Sequence, residues 1–165
     1  MIETTRLRVR HFVDDDASFI LRLLNEPSFL RYIGDRGVRN IDDARAYIAN
    51  GPLASYTKRG YGLNVVTTKD SDDAIGMCGV VHKPWLDDPD IAYAFLPESG
   101  GRGYASEAAY AVLQVVRSEF GVGRVVAVVT PDNAASIRVL DKLDFSFERM
   151  IEDPAGIELK LFGSQ

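Results

Sequence analysis

Ten residues, Glu98-Ser99-Gly100-Gly101-Arg102-Gly103-Tyr104-Ala105-Ser106-Glu107, carry the clearest chemical signal in this chain. They place three glycines and an arginine between an apolar strand-like segment, Ile91 to Pro97, and an amphipathic helix. Such a turn presents free backbone N–H groups at a helix N-terminus, where the helix dipole also favours anions. Glycine has no Cβ to hold a ligand away from the backbone. The turn is therefore a candidate diphosphate cradle, to which Arg102 adds a positive charge. The plain alternative is a flexible strand-to-helix connection. A nucleoside triphosphate loop is disfavoured, because the Gly-x-x-x-x-Gly-Lys-Ser/Thr pattern is missing.

Other reactive residues are sparse. The single cysteine, Cys78, lies in the apolar run Ile75-Gly76-Met77-Cys78-Gly79-Val80-Val81 and reads as a small core residue. One cysteine forms no internal disulfide, and His11 and His82 have no metal-ligand spacing, so no metal is expected. Asp14-Asp15-Asp16 reads as a solvated helix start rather than a metal cluster. The net charge of −5 opposes general binding to nucleic acid and leaves room for a local basic pocket. An acidic surface attracts amines and basic peptides. No apolar run approaches the roughly 18 residues of a membrane span, and the N-terminus lacks a secretory apolar core. A cytoplasmic protein with no membrane partner is expected.

The positioning elements follow from periodicity. Length and composition, 165 residues with 46% hydrophobic and 26% charged, suit one domain over residues 1–165. Arg6 to Phe12 alternates as a strand with one polar face. A helix follows from the acidic triplet through Leu24, and Pro27 ends it or comes just after its end. A second helix starts at Asn40 or Asp42 and is interrupted at Gly51-Pro52, with a further piece to Lys58. Strands are expected at Gly62 to Thr68, Ala74 to Lys83 and Asp90 to Leu96. Ala105, Ala108, Ala109, Val112, Leu113 and Val116 mark the helix after the glycines. Arg124 to Thr130 reads as a strand buried on both faces. Asn133 is a plausible cap for a helix from Ala134 to about Leu143. Phe145 to Ile151 and Ile157 to Phe162 form a final hairpin. This order alone supports only an α/β or α+β class.

The glycine turn, taken with Pro131-Asp132-Asn133-Ala134-Ala135-Ser136 and its continuation to Lys142-Leu143-Asp144-Phe145, resembles the GNAT N-acetyltransferases, and within them the RimJ/RimL-like group. Glu3-Thr4-Thr5-Arg6-Leu7-Arg8-Val9-Arg10 and Arg31-Tyr32-Ile33-Gly34 also look like that group. The resemblance implies the GNAT acyl-CoA N-acyltransferase fold, a mixed, mostly antiparallel sheet flanked by helices on both faces. It implies acetyl-CoA as cosubstrate, with its arm between the strands Asp90–Leu96 and Arg124–Thr130, on the backbone of Phe95 and Leu96. The diphosphate then lies on Gly101, Arg102, Gly103, Tyr104 and Ala105, and Asn133 contacts the arm.

Acetyl transfer needs a base for the ammonium and an acid for the departing thiolate. The resemblance points to Asp90 as base, with a turn residue as the alternative. It points to Ser136 as donor to the sulfur, with a first-turn helix serine as the alternative. Tyr93 is a further candidate whose face alternation leaves open. Two departures stand out: Glu98 where Gln or Arg is usual, and Asp144 where Gly is usual. The reading is an acyltransferase acting on a primary amine, first a protein or peptide N-terminus, as a monomer or homodimer. A small-molecule amine or antibiotic acetyltransferase and a non-catalytic acyl-CoA sensor are the alternatives.

Overall fold

The computed structural model describes residues 1–164. Its eight strands are β1 (Ile2–Glu3), β2 (Leu7–His11), β3 (Leu63–Thr68), β4 (Ala74–Val81), β5 (Asp90–Phe95), β6 (Val126–Val129), β7 (Phe145–Glu152) and β8 (Glu158–Ser164). They form one sheet in the order β1-β2-β3-β4-β5-β6-β8-β7. Every neighbouring pair is antiparallel except β5 and β6, which run parallel. Among the described residues, no helix is long and apolar enough to cross a membrane.

Two apolar clusters hold helices to the sheet. One joins α5 (Tyr104–Phe120) and α6 (Ala134–Lys142) to Val66, Cys78, Val80, Ile91, Val125 and Ala127. The other joins α1 (Ala17–Leu24), α2 (Pro27–Tyr32) and α3 (Ile41–Ile48) to Val65, Met77 and Leu96. Alternation explains the split, since successive strand residues face opposite sides. Val65 and Val66 are both fully buried because both faces are covered. Cys78 is a buried core thiol, pushed up by burial, as its apolar run suggested.

Three local readings change. Pro27 comes just after the end of α1, and it also begins a helix that the sequence did not show: it is the first residue of α2, where its missing N–H and fixed φ are harmless. Gly51-Pro52 does not stop the chain's coiling. It sits in a π-helical turn, residues 49–53, that links α3 to α4 (Ala54–Arg59). Asp16 is not a solvated residue of the helix start, because it is buried at 7% exposure. Arg10 donates from Nη1 and Nη2 to its two oxygens at 2.9 and 2.8 Å, and the Val13 N–H donates at 2.8 Å. Asp144 takes φ 60°, the left-handed conformation that aspartate tolerates at a helix end.

The Asp16 cluster fixes where β2 hands over to α1. Burial opposes ionisation of Asp16, but the bonds from Arg10 and Val13 outweigh it and hold the carboxyl below its usual range. A depressed carboxyl stabilises the fold above its unfolded pKa and loses that contribution as pH falls through the folded value. Asp16→Ala should therefore lower the unfolding free energy by about 2 kcal/mol at neutral pH in urea titrations. The gap between variant and parent should close below about pH 4.

Candidate functional site

The site begins with a mismatch between two strands. β5 and β6 register only at Asp90 with Val126, where the Val126 N–H donates to the Pro89 carbonyl at 2.9 Å. Beyond that point they separate. On its other side β5 stays paired with β4 through Phe95, opposite Gly76, and the Leu96 N–H donates to the Ile75 carbonyl at 2.8 Å. Antiparallel pairing alternates, so Ala94 and Leu96 turn their backbone groups to β4. Tyr93 and Phe95 turn theirs toward the widening gap.

A cavity of about 420 Å³ occupies this gap and continues to the glycine turn. Its sheet wall includes Tyr93, Ala94 and Phe95; its floor is Gly100, Gly101, Gly103 and the first turn of α5. Asn133, Ser136, Arg138 and Lys142 line it from α6 and its cap, and Phe29, Tyr32 and Ile33 from α2. Gly101 and Gly103 have φ of 73° and 78°, which an L-residue adopts only with strain. That backbone path turns the chain into the 17-residue helix α5 and leaves the N–H groups of its first turn without helical partners.

Of the residues singled out in the sequence, Phe95, Gly101, Gly103, Tyr104, Ala105, Asn133 and Ser136 meet around this one cavity. Three do not line it. Arg102 is exposed and does not reach the cavity lining. Leu96 packs into the α1–α3 cluster, its N–H bonded to Ile75 and its carbonyl to the Ser99 N–H at 2.9 Å. Asp90 lies at the closed end of the gap, 1% exposed, with Oδ2 2.5 Å from Lys83 Nζ and Oδ1 buried without a hydrogen-bond partner. Burial pushes the Asp90 carboxyl up, and Lys83 draws it part of the way back.

Tyr93 belongs to the site more firmly than alternation alone could tell. Its hydroxyl donates to the Ser136 carbonyl at 3.0 Å and lies 2.9 Å from Ser136 Oγ. Burial raises the Tyr93 phenol well above its ordinary value, so it stays protonated at neutral pH. Asn133 caps α6 by accepting from the Ser136 N–H at 3.2 Å. That bond engages Oδ1 and leaves the Nδ2 donors for a ligand. The pair thus combines a fixed hydroxyl donor couple with a backbone-lined gap, an arrangement suited to protonating a leaving group.

Sequence reasoning missed Arg138, Lys142 and most of the α2 wall. Ala135, Arg138, Val139 and Lys142 recur at three- and four-residue steps, so one face of α6 was readable as the cavity face. The sequence flagged Arg31-Tyr32-Ile33-Gly34 by resemblance, but not the helix that carries it, because Pro27 concealed α2. Glu98 also finds its explanation. Arg22 Nη2 lies 2.6 Å from its Oε1, which ties the carboxylate to α1 and offsets its charge beside the turn. A second ion pair, Arg31 to Asp132 at 3.2 Å, joins α2 to the loop before α6. Among the described residues there is no group of side chains that could hold a metal ion.

Comparison with known proteins places this architecture. Residues 6–146 match the family described as acetyltransferase (GNAT) domain. The chain is 31% identical over 153 residues to an uncharacterized N-acetyltransferase, YoaA, of Bacillus subtilis (strain 168), covering 92% of this chain and 85% of that protein. Its fold matches RimL, a ribosomal L7/L12 alpha-N-protein acetyltransferase in complex with coenzyme A. The TM-score is 0.83 at 16% identity, over 97% of this chain and 94% of the other. It also matches the aminoglycoside acetyltransferase AAC(6')-Ib in complex with coenzyme A. There the TM-score is 0.78 at 13% identity, over 96% and 94% of the two chains. The match over most of the chain, the mixed sheet and the parted parallel strands lead to one conclusion: this chain belongs to the GNAT acetyltransferase family.

Proposed function

We propose that this acyltransferase moves the acetyl group of acetyl-CoA to a primary amine, the N-terminal amine of a protein or peptide, as in the RimJ/RimL-like group. The observation that carries the acceptor reading is the cavity lining. Its titratable members are tyrosines, Arg138 and Lys142, with no carboxylate. An aminoglycoside is a polycation, and a site for it gains from several carboxylates. A peptide N-terminus brings one ammonium group and asks only for a path past Phe29, Tyr32 and Ile33. Asp132, in the loop before α6, is already paired with Arg31.

The residues fit the cosubstrate in kind. The first-turn amides of α5 and the dipole behind them suit a diphosphate. Arg138 and Lys142 add positive charge to the same cavity. The backbone groups of Tyr93 and Phe95 suit the amides of an extended arm, and the Nδ2 donors of Asn133 suit one of its carbonyls. Bound acetyl-CoA supplies an activated thioester carbonyl and a thiol leaving group.

The protein's share of the chemistry is proton handling. Tyr93, neutral at working pH, turns from the Ser136 carbonyl to give its phenolic proton to the departing sulfur, and Ser136 Oγ–H donates to the phenolate left behind until solvent reprotonates it. Asp90 takes the proton from the incoming ammonium at Oδ1, the oxygen that Lys83 leaves free. Because that oxygen is sealed from the cavity, the transfer is relayed or follows loosening of the Lys83–Asp90 pair.

Release of the CoA thiol from acetyl-CoA tests the reading. Turnover with a pool of N-terminal peptides supports it; turnover only with small amines or aminoglycosides replaces the acceptor. Tight cofactor binding with no turnover in either pool favours an acyl-CoA sensor. Tyr93→Phe should lower kcat about 100-fold with the KM for acetyl-CoA nearly unchanged. Gly103→Glu should weaken acetyl-CoA binding at least about tenfold by calorimetry, since it adds both strain and a like charge at the cradle.

A further inference from the structure

The carboxylate of Glu107 sits in the first turn of α5, close to where the cradle would hold a diphosphate, and left alone it would repel that ligand. The structure does not leave it alone. Its oxygens accept from Thr4 Oγ1 at 2.6 Å, from the Arg6 N–H at 2.9 Å and from Arg6 Nε at 2.8 Å, with Arg6 Nη2 at 2.7 Å. These partners come from the segment between β1 and β2, about a hundred residues away in sequence. Those bonds hold Glu107 below the usual carboxylate range in spite of partial burial, so it is ionised wherever the ligand is.

Arg6 does more than cancel that charge. Its guanidinium lies over the ring of Tyr104, 4.5 Å from the centroid. A β-carbon added to Gly103 would meet Arg6 Nη2 at 3.5 Å, so the cation lies beside the turn. Tyr104 lines the cavity and Gly103 precedes it as the cap of α5. One side chain therefore stacks on Tyr104 and borders Gly103, the residue before it.

We propose that Arg6 is a positioning residue for the diphosphate cradle. It neutralises Glu107 and holds the Tyr104 ring, so that the first turn of α5 presents its amides to an anion without a competing carboxylate. The role sets cofactor affinity and leaves the proton-transferring groups untouched. It rests on the acetyl-CoA reading above.

A double-mutant cycle on the full chain separates this from simple bracing. CoA is the probe in calorimetry, and acetyl-CoA kinetics run in parallel. Arg6→Ala should raise the CoA Kd and the acetyl-CoA KM about tenfold, with kcat at saturation within about twofold of the parent. Arg6→Ala combined with Glu107→Gln should recover most of that affinity, because the unpaired carboxylate is gone. Arg6→Lys, which keeps the charge and loses the fork, should fall between parent and Arg6→Ala. An unchanged Kd in Arg6→Ala, or a double variant that binds no better than Arg6→Ala, would overturn the assignment while leaving the cofactor reading in place. A parent protein that does not bind CoA would overturn both. Should Arg6→Ala fail to fold, Arg6→Lys carries the same test against Arg6→Lys/Glu107→Gln.

Discussion

The parting of β5 and β6 is the constraint on which the rest depends. Two parallel neighbours in a sheet normally share a regular ladder, and here they share one register position, Asp90 with Val126. Parting them exposes backbone groups that a buried sheet cannot leave without partners. Those groups, on Tyr93 and Phe95, are what a ligand with amides of its own can satisfy. The parting also decides where the following helices start. α5 leaves from the end of β5 and α6 follows β6, so both N-terminal regions border the same gap.

Around that gap, charge is managed by pairs that reach far across the sequence. Glu98 is tied to Arg22, Asp132 to Arg31 and Glu107 to Arg6. Each acid lies in or near a segment that borders the cavity, and each is met by an arginine from the N-terminal segments. Exposed pairs of this sort contribute little to stability. Their effect here is local: they leave Arg138 and Lys142 as the charged side chains of the cavity lining in an otherwise acidic chain. A cavity whose charged lining is basic thus coexists with a net charge of −5.

Much of this was legible in the sequence, because the signals were local. Alternation marked β2, three- and four-residue spacing marked α5, and the cap at Asn133 marked α6. The left-handed residue at Asp144 followed from its place at a helix end. What stayed hidden depended on contacts distant in sequence. Asp16 looked like one of three solvated acids until Arg10 folded onto it. Leu96 looked like a backbone contact for the cofactor arm, but strand parity turns its N–H to β4 and leaves the backbone groups of Tyr93 and Phe95 facing the gap. Asp90 looked open at a strand start, yet Lys83 closes over it. Pro27 carries two opposite meanings, stop and first residue, and only packing of Phe29 into the core selects the second.

Amide hydrogen exchange of β5 tests the central claim most directly, followed by residue-resolved NMR with and without CoA. The N–H groups of Ala94 and Leu96, bonded to β4, should be protected in both samples. Those of Tyr93 and Phe95 should exchange quickly in the free protein and become protected, by about tenfold or more, when CoA fills the gap. Protection of Tyr93 and Phe95 already complete in the free protein, or unchanged by saturating CoA, would contradict the account that these strands part to receive the cofactor.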